Sequence, residues 1–345
     1  MSQRETLQQH LDRWAGPDLL RQAVARTIAA LAGAIVDISA MVAEGPLGGE
    51  LGADIGGSGG GDTQKHLDAV THRVFGEALA QAPVAVVGSE EDREPVILDA
   101  GAPLAVVIDP LDGSSNIDTN VPVGTIFGIL PAAEPLAASV LRPGHDLLAA
   151  AFAIYGVHTA LVLTLREGTH VFTLDRTRGQ FLLTRAAVQI PPAQREYAIN
   201  ASNYRHWDEA IRTYVDDCIA GVSGPRAGNF NMRWIASLVA EAYRILGRGG
   251  IFLYPGDRRP GYEEGRLRLV YEANPMALLI EQAGGSATTG LFRILDLQPR
   301  DLHQRTPLVF GSADKVARVA GHYAGPPSTS ERSPLFGRRG LFYHP

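Results

Sequence analysis

The sequence contains a single cysteine, Cys218, and this scarcity excludes a fold held together by disulfides. A lone cysteine forms no internal bridge, so the oxidising compartments in which disulfide-rich domains occur are not indicated. Cys218 lies in an apolar stripe of a helix predicted over residues 208–219, which indicates a buried core thiol. We therefore expect an intracellular, cytoplasmic protein.

Long apolar runs and runs of positive charge are also missing. No stretch of ~18 consecutive apolar residues offers a membrane span, and residues 1–18 lack the basic-then-apolar order of a signal peptide. The formal net charge is -6, and no lysine or arginine run forms a stripe that would bind a nucleic-acid backbone. We expect neither a membrane nor a nucleic acid as partner, and a small anionic ligand would need local basic residues.

The apolar residues that are present follow two different periods. Steps of three and four over residues 20–43 predict an amphipathic helix, and shorter helices are predicted over 68–79, 208–219, 233–246 and 276–282. Short apolar runs predict strands over 84–87, 104–108, 124–130, 157–165, 170–174, 181–183, 250–254 and 307–310. Because these elements come in blocks and not as regular βα repeats, they favour a layered α+β architecture over a barrel.

A glycine-rich stretch over residues 45–61 interrupts this pattern. Its run of glycines at 56–61 is typical of a flexible loop, and long loops are often functional. Two acids, Asp62 and Asp68, flank the exit of the loop. We expect them to lie near whatever site the loop covers.

The most informative motif is the sequence VVIDPLDGSSN at residues 106–116. An apolar strand over 104–108 runs into an acidic turn. Pro110 pre-sets this turn and Gly113 supplies its unusual backbone angles, so Asp109 and Asp112 are held on one side. Carboxylate oxygens at a fixed separation favour Mg²⁺ or Mn²⁺ over zinc. The amides of 113–115 and the two serine hydroxyls then offer a small anion a cradle beside the metal.

A second acidic element, Glu90-Glu91, follows the strand predicted over 84–87. Alone, this pair would favour an ordinary solvated loop, and residues 109–116 alone would fit an ordinary turn as well as a functional site. If the two strands share a sheet, four acids meet at one edge, and that arrangement costs stability unless a cation neutralises it. Two metal ions ~3.5–4 Å apart would suit phosphoester hydrolysis by activated water. The rival mechanism, a phosphoenzyme with Asp109 as nucleophile, lacks its usual Asp-x-Asp motif near the start of the chain.

Over residues 62–315 the sequence resembles class 1 fructose-1,6-bisphosphatase, a family of the inositol-monophosphatase-like superfamily. The motifs that carry the resemblance are DTQKHLD (62–68), SEED (89–92), DPLDGSSN (109–116), GGIFLYP (249–255), YEANPMA (271–277) and DLHQR (301–305). The resemblance implies a sugar phosphatase fold with mixed sheets sandwiched between helices, layered α/β/α/β. It implies a metal-binding half over 1–190 with a helix pair and a large sheet, a sugar-phosphate-binding half over 191–325, and a partly ordered tail over 326–345.

The resemblance also implies a role for each matching residue. The metal ligands would be Glu90, Asp109, the carbonyl of Leu111, Asp112 and Glu272, holding two or three Mg²⁺ per subunit with Mn²⁺ as the alternative ion. Glu91 and Asp68 would orient and deprotonate water, while Asp62 would engage the metal site or pair with Arg268. The 1-phosphate would contact Asp112, Gly113, Ser114 and Ser115. The 6-phosphate would lie among Asn200, Tyr204, Tyr254 and Arg266, with Asn203 as an alternative to the first two, and Arg233 would reach in from a neighbouring subunit of a homotetramer.

The implied reaction is hydrolysis of D-fructose 1,6-bisphosphate, in gluconeogenesis or in Calvin-cycle carbon fixation. Sedoheptulose-1,7-bisphosphatase activity, alone or shared, is the near alternative, and a non-catalytic sugar-phosphate-binding protein is a more distant one because no ligand is missing. An inositol monophosphatase is disfavoured, since the late ligand stands in a YEANP context. The sequence departs from AMP-sensitive members at residues 26–29 and 103–104, so we expect AMP inhibition to be weak or absent.

Overall fold

The computed structural model describes residues 4–49, 52–57 and 63–325, so the predictions for Asp62 and for the tail lie outside the described residues. The helices are α1 (Leu7–Ala15), α2 (Leu19–Glu44), α3 (His66–Leu79), α4 (Glu209–Ile219), α5 (Leu238–Arg248), α6 (Asn274–Gln282) and α7 (Ala313–Ala324). The strands are β1 (Asp54–Gly57), β2 (Thr63–Lys65), β3 (Val84–Ser89), β4 (Val96–Ile97), β5 (Leu104–Asp112), β6 (Val123–Pro131), β7 (Ala149–Tyr155), β8 (Thr159–Thr164), β9 (Thr169–Asp175), β10 (Gln180–Arg185), β11 (Glu196–Ala198), β12 (Asn231–Met232), β13 (Ile251–Tyr254), β14 (Leu267–Arg268), β15 (Gly285–Thr288), β16 (Arg305–Thr306) and β17 (Leu308–Ser312).

A mixed eight-stranded sheet forms the larger half of the fold. Its strand order is β10-β9-β8-β7-β6-β5-β3-β4, and β3 and β5 are its one parallel pair. Successive side chains of β5 alternate between two hydrophobic clusters, with Val107 on one face and Val106 and Ile108 on the other. Both faces of the sheet are therefore covered, which explains why its strands read as continuous apolar runs.

Helices cover both faces of this sheet, and a second sheet packs against the helices on one of these faces. Helices α1, α2 and α3 pack on one face, and α5 and α6 pack on the other. The five-stranded sheet, in the order β12-β11-β13-β17-β15, contacts α5 and α6 and carries α4 and α7 on its outer face. The predicted α+β class with mixed sheets between helices is confirmed, and α4 and α7 add a further helical layer.

One helical segment of the described residues, Leu19–Gly48, is long and apolar enough to cross a membrane by length and composition, with a mean hydropathy of 1.7 over eighteen residues. A search for unbroken apolar runs alone therefore misses this helix as a candidate membrane span. In the fold, Val24, Ile28, Leu31 and Ile35 of this helix are fully buried in the cluster that includes α3 and the large sheet. Helices of a protein core pass the same test, so it is weak evidence for a membrane span.

Three local predictions need correction. The glycine-rich stretch is not uniformly irregular, because Asp54–Gly57 forms β1, which pairs antiparallel with β2 after the stretch. The acidic motif is not a turn after the strand, because β5 continues through Asp112. The helix predicted from residue 233 begins at Leu238, because Ala236 has a φ of 62° that a helix does not allow and Ser237 caps the first turn.

Candidate metal centre and substrate site

The two acidic elements meet at one edge of the large sheet. Strands β3 and β5 run parallel with Ser89 opposite Ile108, so the residues that follow them emerge side by side. The amide of Glu90 donates to the carbonyl of Ile108 at 3.1 Å, which fixes the start of the glutamate pair beside Asp109. The structure thus brings together the four acids that the sequence places after separate strands.

A β-bulge sets the spacing of the aspartate pair. Asp109 lies opposite Ile126 and Asp112 opposite Gly124, so Pro110 and Leu111 share one partner on β6. The Leu111 amide donates to Oδ1 of Asp109 at 3.0 Å, and the carbonyl of Pro110 accepts from the Thr125 hydroxyl at 2.9 Å. Because one extra residue separates the aspartates, both side chains point to the same face of the sheet.

Glu272 completes a group of three buried carboxylates. Asp109, Asp112 and Glu272 are only 2%, 6% and 7% exposed, and each offers an oxygen within 4.8 Å of the others. Glu272 belongs to a π-helical turn, Leu269–Ala273, and its carboxylate accepts a short hydrogen bond from the amide of Arg268. Such turns are frequent at functional sites.

The electrostatics of this group fit a divalent cation. Burial first, and then the neighbouring Glu90, Asp112 and Glu272 carboxylates, raise the pKa of Asp109 well above its usual range. Burial and the charge of Glu90 likewise raise the pKa of Glu272. The negative charges of these buried carboxylates oppose one another's ionisation unless a cation lies among them. A cluster of oxygen ligands that must otherwise hold protons is the donor set that Mg²⁺ prefers.

Asp112 is held by the beginning of helix α5. Its Oδ2 accepts from the amide of Val239 at 3.1 Å, in the first turn of the helix. Burial raises the pKa of Asp112 to about 6, and the hydrogen bond from Val239 opposes that shift. The close approach needs glycine on β6, because a Cβ on Gly124 would meet the Ala153 carbonyl oxygen at 2.2 Å and the Val239 methyl groups at 2.7 Å.

Asp68 lies beside the glutamate pair and the serines. It is buried near the start of α3, where its Oδ2 accepts from the amide of Lys65 at 2.6 Å. Burial raises the pKa of Asp68 to about 7; the Lys65 amide lowers it, the charge of Glu91 raises it, and a hydrogen bond with Ser114 lowers it. The structure therefore brings Asp68, Glu91 and Ser114 together.

The segment after the aspartates, which the sequence predicts to be an anion cradle, forms a tight turn and a short helix. Gly113 has a φ of 79°, and a 3-10 helix, Ser114–Thr119, starts immediately after it. The side-chain amide of Asn116 donates to the carbonyl of Ala236 at 2.8 Å, which ties this short helix to the residue before the cap of α5. Ser115 is exposed and Ser114 half-buried, at the rim of the acidic group.

Three of the candidate residues for the distal phosphate come from one edge of the five-stranded sheet, whereas Arg266 directly precedes β14 of a separate two-stranded sheet. Strand β11 is parallel to both β12 and β13, with Tyr197 opposite Met232 and Ile251. Asn200, Arg233 and Tyr254 therefore leave the sheet at the same side, because the carboxyl ends of parallel strands meet at one edge.

Two of these side chains are engaged within the chain. The Tyr204 hydroxyl donates to Oδ1 of Asp216 at 2.8 Å, and the Asn200 side chain accepts from the Ser202 hydroxyl at 2.6 Å. The backbone amide of the half-buried Asn203 donates a hydrogen bond to the backbone carbonyl of Asn200 at 3.1 Å.

Arg233 belongs to an ionic network around Glu196, the first residue of β11. Its side chain is 53% exposed, and its Nε lies 3.4 Å from Glu196, which is 2% exposed. Arg244 and Arg248 contact the same carboxylate at 2.8 Å and 3.2 Å. The buried glutamate thus holds three guanidinium groups, of which Arg233 and Arg248 reach the surface.

A histidine bridge that the sequence does not reveal braces the site. His303 lies between the Tyr271 hydroxyl, 2.9 Å from Nδ1, and the Asp92 carbonyl, 2.8 Å from Nε2. It joins the turn that carries Glu272 to the segment that carries Glu90 and Glu91. In the sequence, His303 has no metal-ligand spacing to another histidine or acid, so the residues alone predict no role for it.

Comparisons with known proteins show which family this fold belongs to. Residues 18–186 match the model of the fructose-1-6-bisphosphatase N-terminal domain, and residues 190–324 match that of the C-terminal domain. The chain is 55% identical to fructose-1,6-bisphosphatase class 1 1 of Nitrobacter hamburgensis over 99% of both chains. It is 57% identical to fructose-1,6-bisphosphatase class 1 of Rhizobium meliloti over 95% of both.

Solved structures give the same result. The fructose-1,6-bisphosphatase of Leishmania major in holo form is 35% identical, with a TM-score of 0.86 over 94% of this chain and 100% of that one. The fold and these matches identify an enzyme of the phosphatase class. The chain belongs to the class 1 fructose-1,6-bisphosphatase family, so the resemblance in the sequence is confirmed.

Proposed function

We propose that this protein hydrolyses D-fructose 1,6-bisphosphate to fructose 6-phosphate and phosphate, with Mg²⁺ as the cofactor. The observation that carries the proposal is the buried group of Asp109, Asp112 and Glu272, which lies beside an anion cradle at the rim of the same sheet edge. Glu90 and the carbonyl of Leu111 complete the ligand set. When bound, Mg²⁺ supplies Lewis-acid activation of water and neutralises charge that develops on the phosphoryl group.

The chain's own residues position the substrate and handle the proton. The pKa of Asp68 is about 7, so near neutral pH its carboxylate is matched to accepting a proton from water, and Glu91 lies beside it. Asp62 joins these two as the third proposed catalytic residue. Gly113, Ser114 and Ser115 offer donors to the 1-phosphate. Polar and basic groups bind the distal phosphate: Asn200, Tyr204, Tyr254, Arg266 and Arg233 of a neighbouring subunit in a homotetramer.

The wider setting follows from the reaction. Removal of the 1-phosphate from a ketose bisphosphate is a step of gluconeogenesis and of the Calvin cycle. We propose that the protein performs this step in the cytoplasm. We also keep the division into halves at residue 190, between the last strand of the large sheet and β11.

Phosphate release from fructose 1,6-bisphosphate and sedoheptulose 1,7-bisphosphate, each with Mg²⁺ and with EDTA, tests the function. We expect Mg²⁺-dependent release from the fructose substrate. D99N is a matched control, because Asp99 is an exposed carboxylate outside the acidic group. Release from the sedoheptulose substrate alone, or release unaffected by EDTA, would contradict the proposal.

A further inference from the structure

The loop between β13 and β14, residues 255–266, has an ordered structure of its own. The Asp257 amide donates to the Tyr262 carbonyl at 2.9 Å, and the Tyr262 amide donates to the Arg259 carbonyl at 3.0 Å. The loop closes tightly, because a Cβ on Gly256 would meet the Glu263 carbonyl oxygen at 2.2 Å. A loop with these internal bonds holds its side chains in defined positions.

Two guanidinium groups lie over the aromatic ring of Tyr262. The Arg259 guanidinium carbon is 4.5 Å from the ring centroid, and that of Arg266 is 4.9 Å away. Both distances are within the range of a cation–π contact. Arg259 is paired with Asp257, whose side chain is only 6% exposed, so its charge is compensated inside the loop.

Arg266 joins this loop to the metal centre. It directly precedes β14, and its carbonyl accepts from Nη1 of Arg268 at 3.0 Å. The amide of the same Arg268 holds the Glu272 carboxylate. Burial raises the pKa of Tyr254 at the end of β13, and the charge of Arg266 lowers it while that of Glu272 raises it, so Tyr254 lies near both groups.

We propose that Tyr262 is a positioning residue that holds the Arg266 guanidinium ready for the distal phosphate of the substrate. The inference rests on the proposed function. A cation–π contact uses the face of the planar guanidinium and leaves its N–H edge for bidentate contact with a phosphate. Arginine loses much rotamer freedom when it binds, and a side chain already ordered by an aromatic ring loses less.

The test compares steady-state kinetics of Y262L, Y262Q and Y262F with fructose 1,6-bisphosphate and Mg²⁺. Loss of the ring in Y262L or Y262Q should raise KM about two- to fivefold, which corresponds to an exposed cation–π contact, and leave kcat unchanged. Y262F keeps the ring and should keep the wild-type KM. R258A is a matched control, because it removes an exposed guanidinium of the same loop that does not lie over the ring.

A double-mutant cycle separates positioning from a general effect on the loop. In the R266A background, Y262L should cause no further rise in KM, because the group that it positions is gone. Equal effects of Y262L with and without Arg266, a rise in KM for R258A as large as for Y262L, or a fall in kcat and Tm with unchanged KM would each overturn the inference. Two replacements of different polarity are used so that misfolding of one does not decide the result.

The same assay distinguishes this inference from the function on which it rests. A wild-type protein without Mg²⁺-dependent fructose-bisphosphatase activity would overturn both. An active wild-type protein with an unchanged KM in Y262L and Y262Q would overturn only the role of Tyr262.

Discussion

The amide of Val239 donates a hydrogen bond of 3.1 Å to Oδ2 of Asp112 across 127 positions of sequence. This bond joins the last residue of β5 to the first turn of α5 and directs the carboxylate toward Asp109 and Glu272. The positive end of the helix dipole also favours the ionised form of Asp112. The helix thus keeps a buried carboxylate available as a ligand.

Asp112→Ala should abolish Mg²⁺-dependent hydrolysis while the fold is kept. Loss of a ligand removes a cation contact, and even changes in residues behind a metal ligand cost about 10- to 100-fold in affinity or activity. We expect a fall of more than about a hundredfold, measured as phosphate release at saturating Mg²⁺. Circular dichroism and Tm check the fold. Retained activity in D112A, with D99N as the charge-matched control, would contradict the assignment.

Metal-free protein should lose stability as the pH rises from 5 to 8. The folded-state pKa is about 6 for Asp112 and about 7 for Asp68, and is raised for Asp109 and Glu272, whereas unfolded carboxylates titrate near ~4. The folded state therefore binds more protons than the unfolded state between these values, and the free energy of unfolding falls with pH across that window.

Mg²⁺ should offset this loss, and more strongly at pH 8 than at pH 5.5, because ionised ligands bind the cation better. Differential scanning fluorimetry with EDTA or Mg²⁺ at four pH values measures the effect, which we expect to be a few degrees. A Tm in EDTA that stays constant or increases over this range would show that the acidic group does not carry the predicted charge penalty.

Asp68→Asn should lower kcat and remove a pH dependence. An accepting carboxylate must be ionised, so kcat/KM of the wild type should rise with pH through about 7, the pKa of Asp68. D68N has no such group, and we expect a loss of about 10²-fold or more together with a flatter profile between pH 6 and 8. Rate profiles in which the wild type and D68N keep the same inflection would assign the proton transfer to another residue.

His303→Phe should destabilise the protein and reduce its activity together. The buried Tyr271 hydroxyl lies 2.9 Å from His303 Nδ1 and loses this partner in the variant. The unfolding free energy should fall by ~1–3 kcal/mol as a result. The turn that carries Glu272 would lose its link to Asp92, and we expect about tenfold lower activity. Y271F/H303F should recover part of the Tm, since removing both partners leaves no buried donor. Additive losses in the double variant would disprove the bridge.

Mixed subunits can test whether Arg233 acts on a neighbouring site. In the proposed homotetramer, R233A alone should be weakly active and D112A alone inactive, whereas hybrids formed by mixed refolding should recover activity. In a hybrid, the intact acidic group of an R233A subunit receives Arg233 from a D112A neighbour. Sedimentation velocity measures the assembly. Hybrids no more active than the average of their parents would place the arginine in its own subunit's site.

The sequence predicts the parts of the site whose signal is local. Residues 84–89 and 104–108 form strands because both of their faces are buried, and the acids that follow them meet because the strands are parallel. The family resemblance adds Glu272, which no spacing connects to Asp109. Glu272 reaches the site through a π-helical turn that lies more than 150 residues after Asp109 in the sequence.

Other parts have no local signal. The contact of Val239 with Asp112 is made by a backbone amide, which every residue except proline carries. His303 acts through one hydroxyl and one carbonyl, each distant in sequence. The start of α5 was misplaced because apolar spacing continues through Ala236, whose left-handed backbone ends the preceding segment. Tertiary contacts decide these features, and a single sequence does not record them.

The bulge at Pro110 and Leu111 changes how the spacing Asp-x-x-Asp should be interpreted. Side chains three positions apart share a face on a helix but lie on opposite faces of a regular strand. Here the extra residue restores the common face, so helical spacing occurs within a β-strand. Deleting Pro110 or Leu111 would remove the bulge and leave the two aspartates as neighbours i and i+2 of a regular strand, still on one face and still paired with Ile126 and Gly124. What the bulge adds is one more backbone carbonyl between the two carboxylates, without a change in the face on which they lie.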